Sequence, residues 1–99
     1  MKVQLLVSGG FVGVTKRCEL DTDTLDQHEA SELERLVKQS GVSISGTHLK
    51  AGARDVRQYK IVIDDGDQVS VTFDDLSIPQ PVGELVDFLQ KYTQPNGRN

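Results

Sequence analysis

The chain has no tryptophan, a single cysteine, three prolines and only two histidines among its 99 residues. Each scarcity excludes something. One cysteine, Cys18, forms no intrachain disulfide, so the fold must be held by packing, as suits a reducing compartment. No stretch approaches the roughly 20 apolar residues of a membrane span. The opening apolar run, VQLLV, is too short for the core of a secretory leader and no cleavage site follows it. The expected location is therefore the cytoplasm. His28 and His48 stand in no metal-ligand spacing such as HxxxH, and the lone cysteine makes no CxxC, so no metal or cofactor is expected. A basic excess is missing too. Eleven Lys and Arg face 15 Asp and Glu, for a net charge of -4. They are scattered, whereas nucleic acid and anionic membranes select a clustered basic face, so neither is an expected partner.

What is present describes one domain over residues 1–93 with a short flexible tail at 94–99. A chain this long buries roughly 60–65% of its unfolded surface, enough for one modest core. Val3, Leu5 and Val7 alternate with Lys2, Gln4 and Leu6, the period of a strand with one buried face. Cys18 and Leu20 continue that alternation beyond a glycine-rich tip, so the two segments read as a β-hairpin. A helix follows. Asp26 and Glu29 have capping-box spacing, Ala30, Leu33, Leu36 and Val37 form one apolar stripe, and Gly41 suits a left-handed terminus. Between Val42 and Arg57 no period is visible, which predicts a long irregular loop, a kind that is often functional. Tyr59, Ile61 and Ile63 then oppose Val69, Val71 and Phe73 across a DDGD turn. A last helix starts near Pro81 and buries Val82, Leu85, Val86 and Leu89. The expected fold is α+β in the order ββαββα, with a four-stranded, mainly antiparallel sheet and two helices packed on one face.

No catalytic constellation emerges. Cys18 falls on the buried face of its strand, where a cysteine behaves as a small hydrophobe. The carboxylates gather in turns: Asp21, Asp23 and Asp26; Asp64, Asp65 and Asp67; Asp74 and Asp75. DTDTLD opens like a calcium loop, but Asp26 stands where that loop needs glycine. Exposed turns also lack the cleft that tunes paired carboxylates for acid–base work. SGGFVG is not a phosphate-binding loop, because such loops lead into a helix N-terminus and here a strand follows.

That segment still needs a reason for its phenylalanine. By alternation Phe11 falls off the core face, at the hairpin tip between Gly9, Gly10 and Gly13. Such a ring either folds back over the sheet edge or serves as an anchor in a partner's pocket, with the glycines permitting close backbone approach.

SGGFVG, LDTD, a helix with EAxxLxxLV, QYKIVIDDG, VTFDD, a proline pair and LVDFL occur here in one order. In this order and spacing the chain resembles the emfourin family of bacterial proteinaceous inhibitors of protealysin, a thermolysin-like zinc metalloprotease. The likeness runs from Lys2 to about Tyr92, and includes the pair Gln58–Tyr59. Two departures stand out: Val12 where the family often has alanine, and Arg54, Asp55, Val56 and Arg57 where it often has a Pro-Asp-Ala-Phe-like run. The resemblance implies a small cytoplasmic inhibitor, monomeric when free and not an enzyme, that occludes the protease's active-site cleft. Ser8, Gly9, Gly10, Phe11, Val12 and Gly13 would enter the cleft, and Arg54 and Arg57 would form a second contact. The rival reading is a non-inhibitory interaction module on the same fold.

Overall fold

The computed structural model describes residues 1–9, 16–43, 45–48, 56–92 and 94–95. Strands β1 (Lys2–Gly9) and β2 (Lys16–Asp21) precede helix α1 (Gln27–Ser40). Then come β3 (Gly46–His48), β4 (Arg57–Asp65), β5 (Asp67–Asp74), helix α2 (Gln80–Gln90) and the two-residue β6 (Gln94–Pro95). The sheet order is β3-β5-β4-β1-β2-β6.

Two pairings expected from alternation are present in register. Leu5 lies opposite Cys18 on β2 and Ile61 on β4, and Ile61 lies opposite Val71 on β5. Val3 and Val7 repeat the arrangement with Ile63 and Tyr59. β1 is therefore interior, flanked by antiparallel β2 and β4, and its alternate residues Val3, Leu5 and Val7 are buried. The helices cover that face. Leu33 and Leu36 of α1 join Val82, Leu85, Val86, Phe88 and Leu89 of α2 in one core cluster with the sheet residues. Each fully buried Leu, Ile or Val contributes about 1.5–3 kcal/mol, so this face is the main source of stability. Gln4, Leu6, Arg17, Glu19, Lys60 and Val62 occupy the opposite face, with Leu6, Arg17, Glu19 and Lys60 exposed.

The α+β class and the two helices agree with the sequence reading, but the sheet does not. Among the described residues it has six strands rather than four, and one pairing is parallel: Gly46, Thr47 and His48 lie beside Val71, Thr72 and Phe73. The segment from Val42 to Arg57 thus contains an edge strand instead of a wholly irregular loop. Gln94 and Pro95 pair with Arg17 and Lys16 and add the other edge.

The helix ends follow local chemistry. Asp26 caps α1, accepting the Glu29 N–H at 2.8 Å, which satisfies one of the orphan donors at a helix start. This hydrogen bond holds the Asp26 carboxyl below its usual range. Glu29 does not complete a reciprocal capping box: its carboxylate accepts the Tyr92 hydroxyl, tying the end of the fold to the start of α1. At the other end Gly41 has φ +72°, the left-handed geometry glycine adopts without a Cβ penalty.

Candidate functional site at one end of the sheet

The antiparallel register brings to one end of the sheet the chain positions that the sequence singles out. β1 ends there at Gly9, β2 and β4 begin there at Lys16 and Arg57, and β5 ends there at Asp74. β3, parallel to β5, also ends there at His48. Ser8 pairs with Gln58 and Gly9 with Arg57. Of the proposed contact residues, Ser8, Gly9 and Arg57 are thereby brought together. Gly10, Phe11, Val12, Gly13 and Arg54 lie outside the described residues. What the structure establishes is the frame from which both segments depart: their flanking residues Gly9 and Arg57 are cross-strand partners, on strands roughly 4.8 Å apart.

Gly9 is required at that position. Its φ is +88°, and a Cβ there would sit 2.9 Å from the Val56 carbonyl oxygen. No L side chain fits without moving backbone, so the departure of the chain from β1 against the start of β4 depends on glycine.

A carboxylate fixes the neighbouring corner. Asp75 Oδ2 accepts the Arg57 N–H at 3.1 Å, and Asp75 Oδ1 accepts the Tyr59 hydroxyl at 2.6 Å. The Asp75 N–H in turn donates to the Arg57 carbonyl at 3.1 Å. Burial, and then the bond to Asp75, raise the Tyr59 pKa, so the phenol remains the donor at neutral pH. Because Asp75 engages both backbone and side chain, the start of β4 is locked to the turn after β5. The guanidinium-bearing Arg57 is exposed at this corner.

Asp74 corrects the reading of the carboxylates as exposed turn residues, because it is only 1% exposed. Its Oδ1 accepts the Leu76 N–H at 2.9 Å and its N–H donates to Ser77 Oγ at 3.1 Å. Its carbonyl takes the N–H groups of Ser77 and Ile78. This is a satisfied Asx-type turn. It holds Leu76 at 61% exposure. Asp75 and Leu76 are site-frame residues that sequence reasoning missed. Asp75 carried a signal in the VTFDD run, whereas a lone leucine in a turn carries none.

The remaining candidates sit apart from catalysis. His28 is exposed in the first turn of α1. His48 stacks on Phe73, ring centroids 5.0 Å apart. Cys18 is buried, and burial with the charge of Glu19 pushes its thiol up to about 11, leaving it a poor nucleophile at neutral pH. Among the described residues no group of three or more His, Cys, Asp or Glu could hold a metal ion, and no helix is long and apolar enough to cross a membrane. The sheet end offers a frame held by the Gly9–Arg57 pairing and by Asp75, with the cation Arg57 exposed on it.

Comparison with known proteins agrees with the motif order. The Emfourin family model matches residues 5–90. No curated protein and no solved structure matches the chain. The chain belongs to the Emfourin family, and that membership points to protease inhibition rather than catalysis, with a protease as partner.

Proposed function

Starting from Emfourin family membership, we propose that this protein inhibits a thermolysin-like, protealysin-like zinc metalloprotease by occluding its active-site cleft. The observation that carries the reading is the pairing of Gly9 with Arg57. It makes residues 8–13 and 52–57 neighbours at their described ends, so two sequence-distant segments address one target. Phe11 is the anchor, suited to the large apolar pocket such proteases place just after the scissile bond. A buried aromatic of this kind typically dominates an interface. Gly10 and Gly13 admit close backbone approach. Arg54 and Arg57 meet an acidic rim, which mainly affects association rate and specificity. Occlusion is steric and needs no zinc ligand from the inhibitor. The free protein acts as a monomer in the bacterial cytoplasm.

The test is residual activity of thermolysin titrated with wild type and with Phe11→Ala. Wild type is expected to inhibit at one-to-one stoichiometry, and the variant to lose more than about 2 kcal/mol of binding at unchanged thermal stability. Inhibition unaltered by the substitution would remove Phe11 from the anchor role. No inhibition by folded wild type would favour a non-inhibitory interaction module.

A further inference from the structure

We infer that the open face of the sheet carries a binding site of its own: a hollow over Leu6, between Arg17 and Lys60, that takes a single carboxylate side chain from an acidic and apolar peptide segment of a partner protein. The inference goes beyond the inhibitory reading and does not depend on it.

Leu6 of β1 lies opposite Arg17 on β2 and Lys60 on β4. The three residues therefore form one row on the face away from the helices, with the backbones of the two cationic residues roughly 10 Å apart. Leu6 is 37% exposed and Val62 is half-buried. Together with Gln4, Arg17 and Lys60 they line a hollow of about 180 Å³. An exposed leucine is ordinary surface by itself. Here two cations face the same hollow and neither is neutralised. Lys2 pairs with Glu19 at 3.6 Å, Arg35 pairs with Glu32 at 2.8 Å, and Lys91 lies over the Phe88 ring. Among the described residues Arg17 and Lys60 join no ion pair. In a chain with 15 acidic residues and a net charge of -4, this leaves a local positive row above an apolar floor. A carboxylate between the two accepts charge-assisted hydrogen bonds from guanidinium and ammonium alike.

Size and the surrounding charges select the occupant. Small-molecule sites usually run to about 300–1,000 Å³, so this hollow suits one side chain rather than a nucleotide or cofactor. A polyanion is disfavoured, because exposed Glu19 and Asp64 stand further along the same face of β2 and β4. Glu19 is engaged by Gln4 at 2.9 Å and by Lys2, which leaves Arg17 to an incoming group. A single glutamate avoids both acids. Its methylenes cover Leu6 and Val62, its carboxylate sits between Arg17 and Lys60, and an apolar neighbour in the same segment covers the rest of Leu6.

The experiment follows the amide NMR shifts of isotope-labelled protein titrated with a capped Ala-Leu-Glu-Ala peptide, with its glutamine counterpart, and with inorganic phosphate. The glutamate peptide should bind saturably with a dissociation constant of about 1 mM, moving the amides of Leu6, Arg17, Lys60 and Val62. The glutamine peptide should not. Arg17→Gln and Lys60→Gln should each weaken binding about threefold, and the double variant should abolish it. Lys38→Gln removes an exposed cation of α1 and should leave binding unchanged, with matching unfolding temperatures across the set. Equal binding of the glutamine peptide would overturn the assignment by removing the carboxylate from it. Equal weakening by Lys38→Gln would overturn it by reducing the effect to net charge, and phosphate moving the same amides at the same concentration would reduce the site to a general anion contact. Absence of saturable binding by folded wild type would also overturn it. The readout uses no protease, so failure of the inhibitory reading leaves this result intact.

Discussion

The hydroxyl of Tyr92, just past α2, binds the carboxylate of Glu29 in the first turn of α1. That bond, with burial and the negative charge of Glu29, raises the phenol to about 12 from an ordinary value of 10.0. A group whose pKa is raised on folding stabilises the fold below its unfolded value and loses that stabilisation as pH climbs through the folded one. Wild type should therefore be more stable than Tyr92→Phe at neutral pH. The difference should close between about pH 10 and 12, read as unfolding midpoints of the two proteins at each pH. A difference that stays constant across that range would contradict the linkage between the ionisation of this hydroxyl and its bond to Glu29. Phe88 is the neighbouring ring, with centroids 5.7 Å apart, so the tilted pair remains in the variant and the comparison isolates the hydroxyl.

The turn between β5 and α2 does two structural jobs at element scale. It ends a strand and aims a helix whose own N-cap, Pro79, offers no side-chain hydrogen bond. Asp74 serves the first job through its Oδ1, its N–H and its carbonyl. Asp74→Ala removes the acceptor of the Leu76 N–H, and an orphaned donor costs about 1–3 kcal/mol. Chemical denaturation should show a loss of that size, and an unchanged midpoint would mean that water replaces the carboxylate without penalty. The elements themselves differ in how readable they were. β1, β4 and β5 announce themselves, because Val3, Leu5, Val7, Tyr59, Ile61 and Ile63 alternate strictly and one sheet face is buried. Gly46, Thr47 and His48 offer no alternation. Their strand exists only because β5 presents an open edge, a long-range fact that a local pattern does not contain. The burial of Asp74 is hidden for a related reason. Its neighbour Asp75 has the same chemistry, and only the path of the chain into α2 separates the enclosed carboxylate from the exposed one.

For the molecule as a whole, the sequence made the candidate site partly readable. The glycines of SGGFVG and the patternless stretch after Val42 each drew attention on their own. Their adjacency was not readable, since it depends on Gly9 pairing with Arg57 across nearly fifty residues of chain. The tilt of the site toward recognition also belongs to this scale. The core lies under the helices, and Arg57, Asp75 and Leu76 are exposed at the sheet end. Under the proposed reading, occlusion of the cleft by that end would make inhibition competitive, whereas binding elsewhere on a protease would not.

The most direct measurement is therefore thermolysin activity titrated with the wild-type protein at several concentrations of a peptide substrate. The account predicts an apparent inhibition constant that rises in proportion to substrate, extrapolating to a one-to-one complex with no residual activity. A constant independent of substrate concentration, or a plateau of activity in the saturated complex, would contradict occlusion of the cleft.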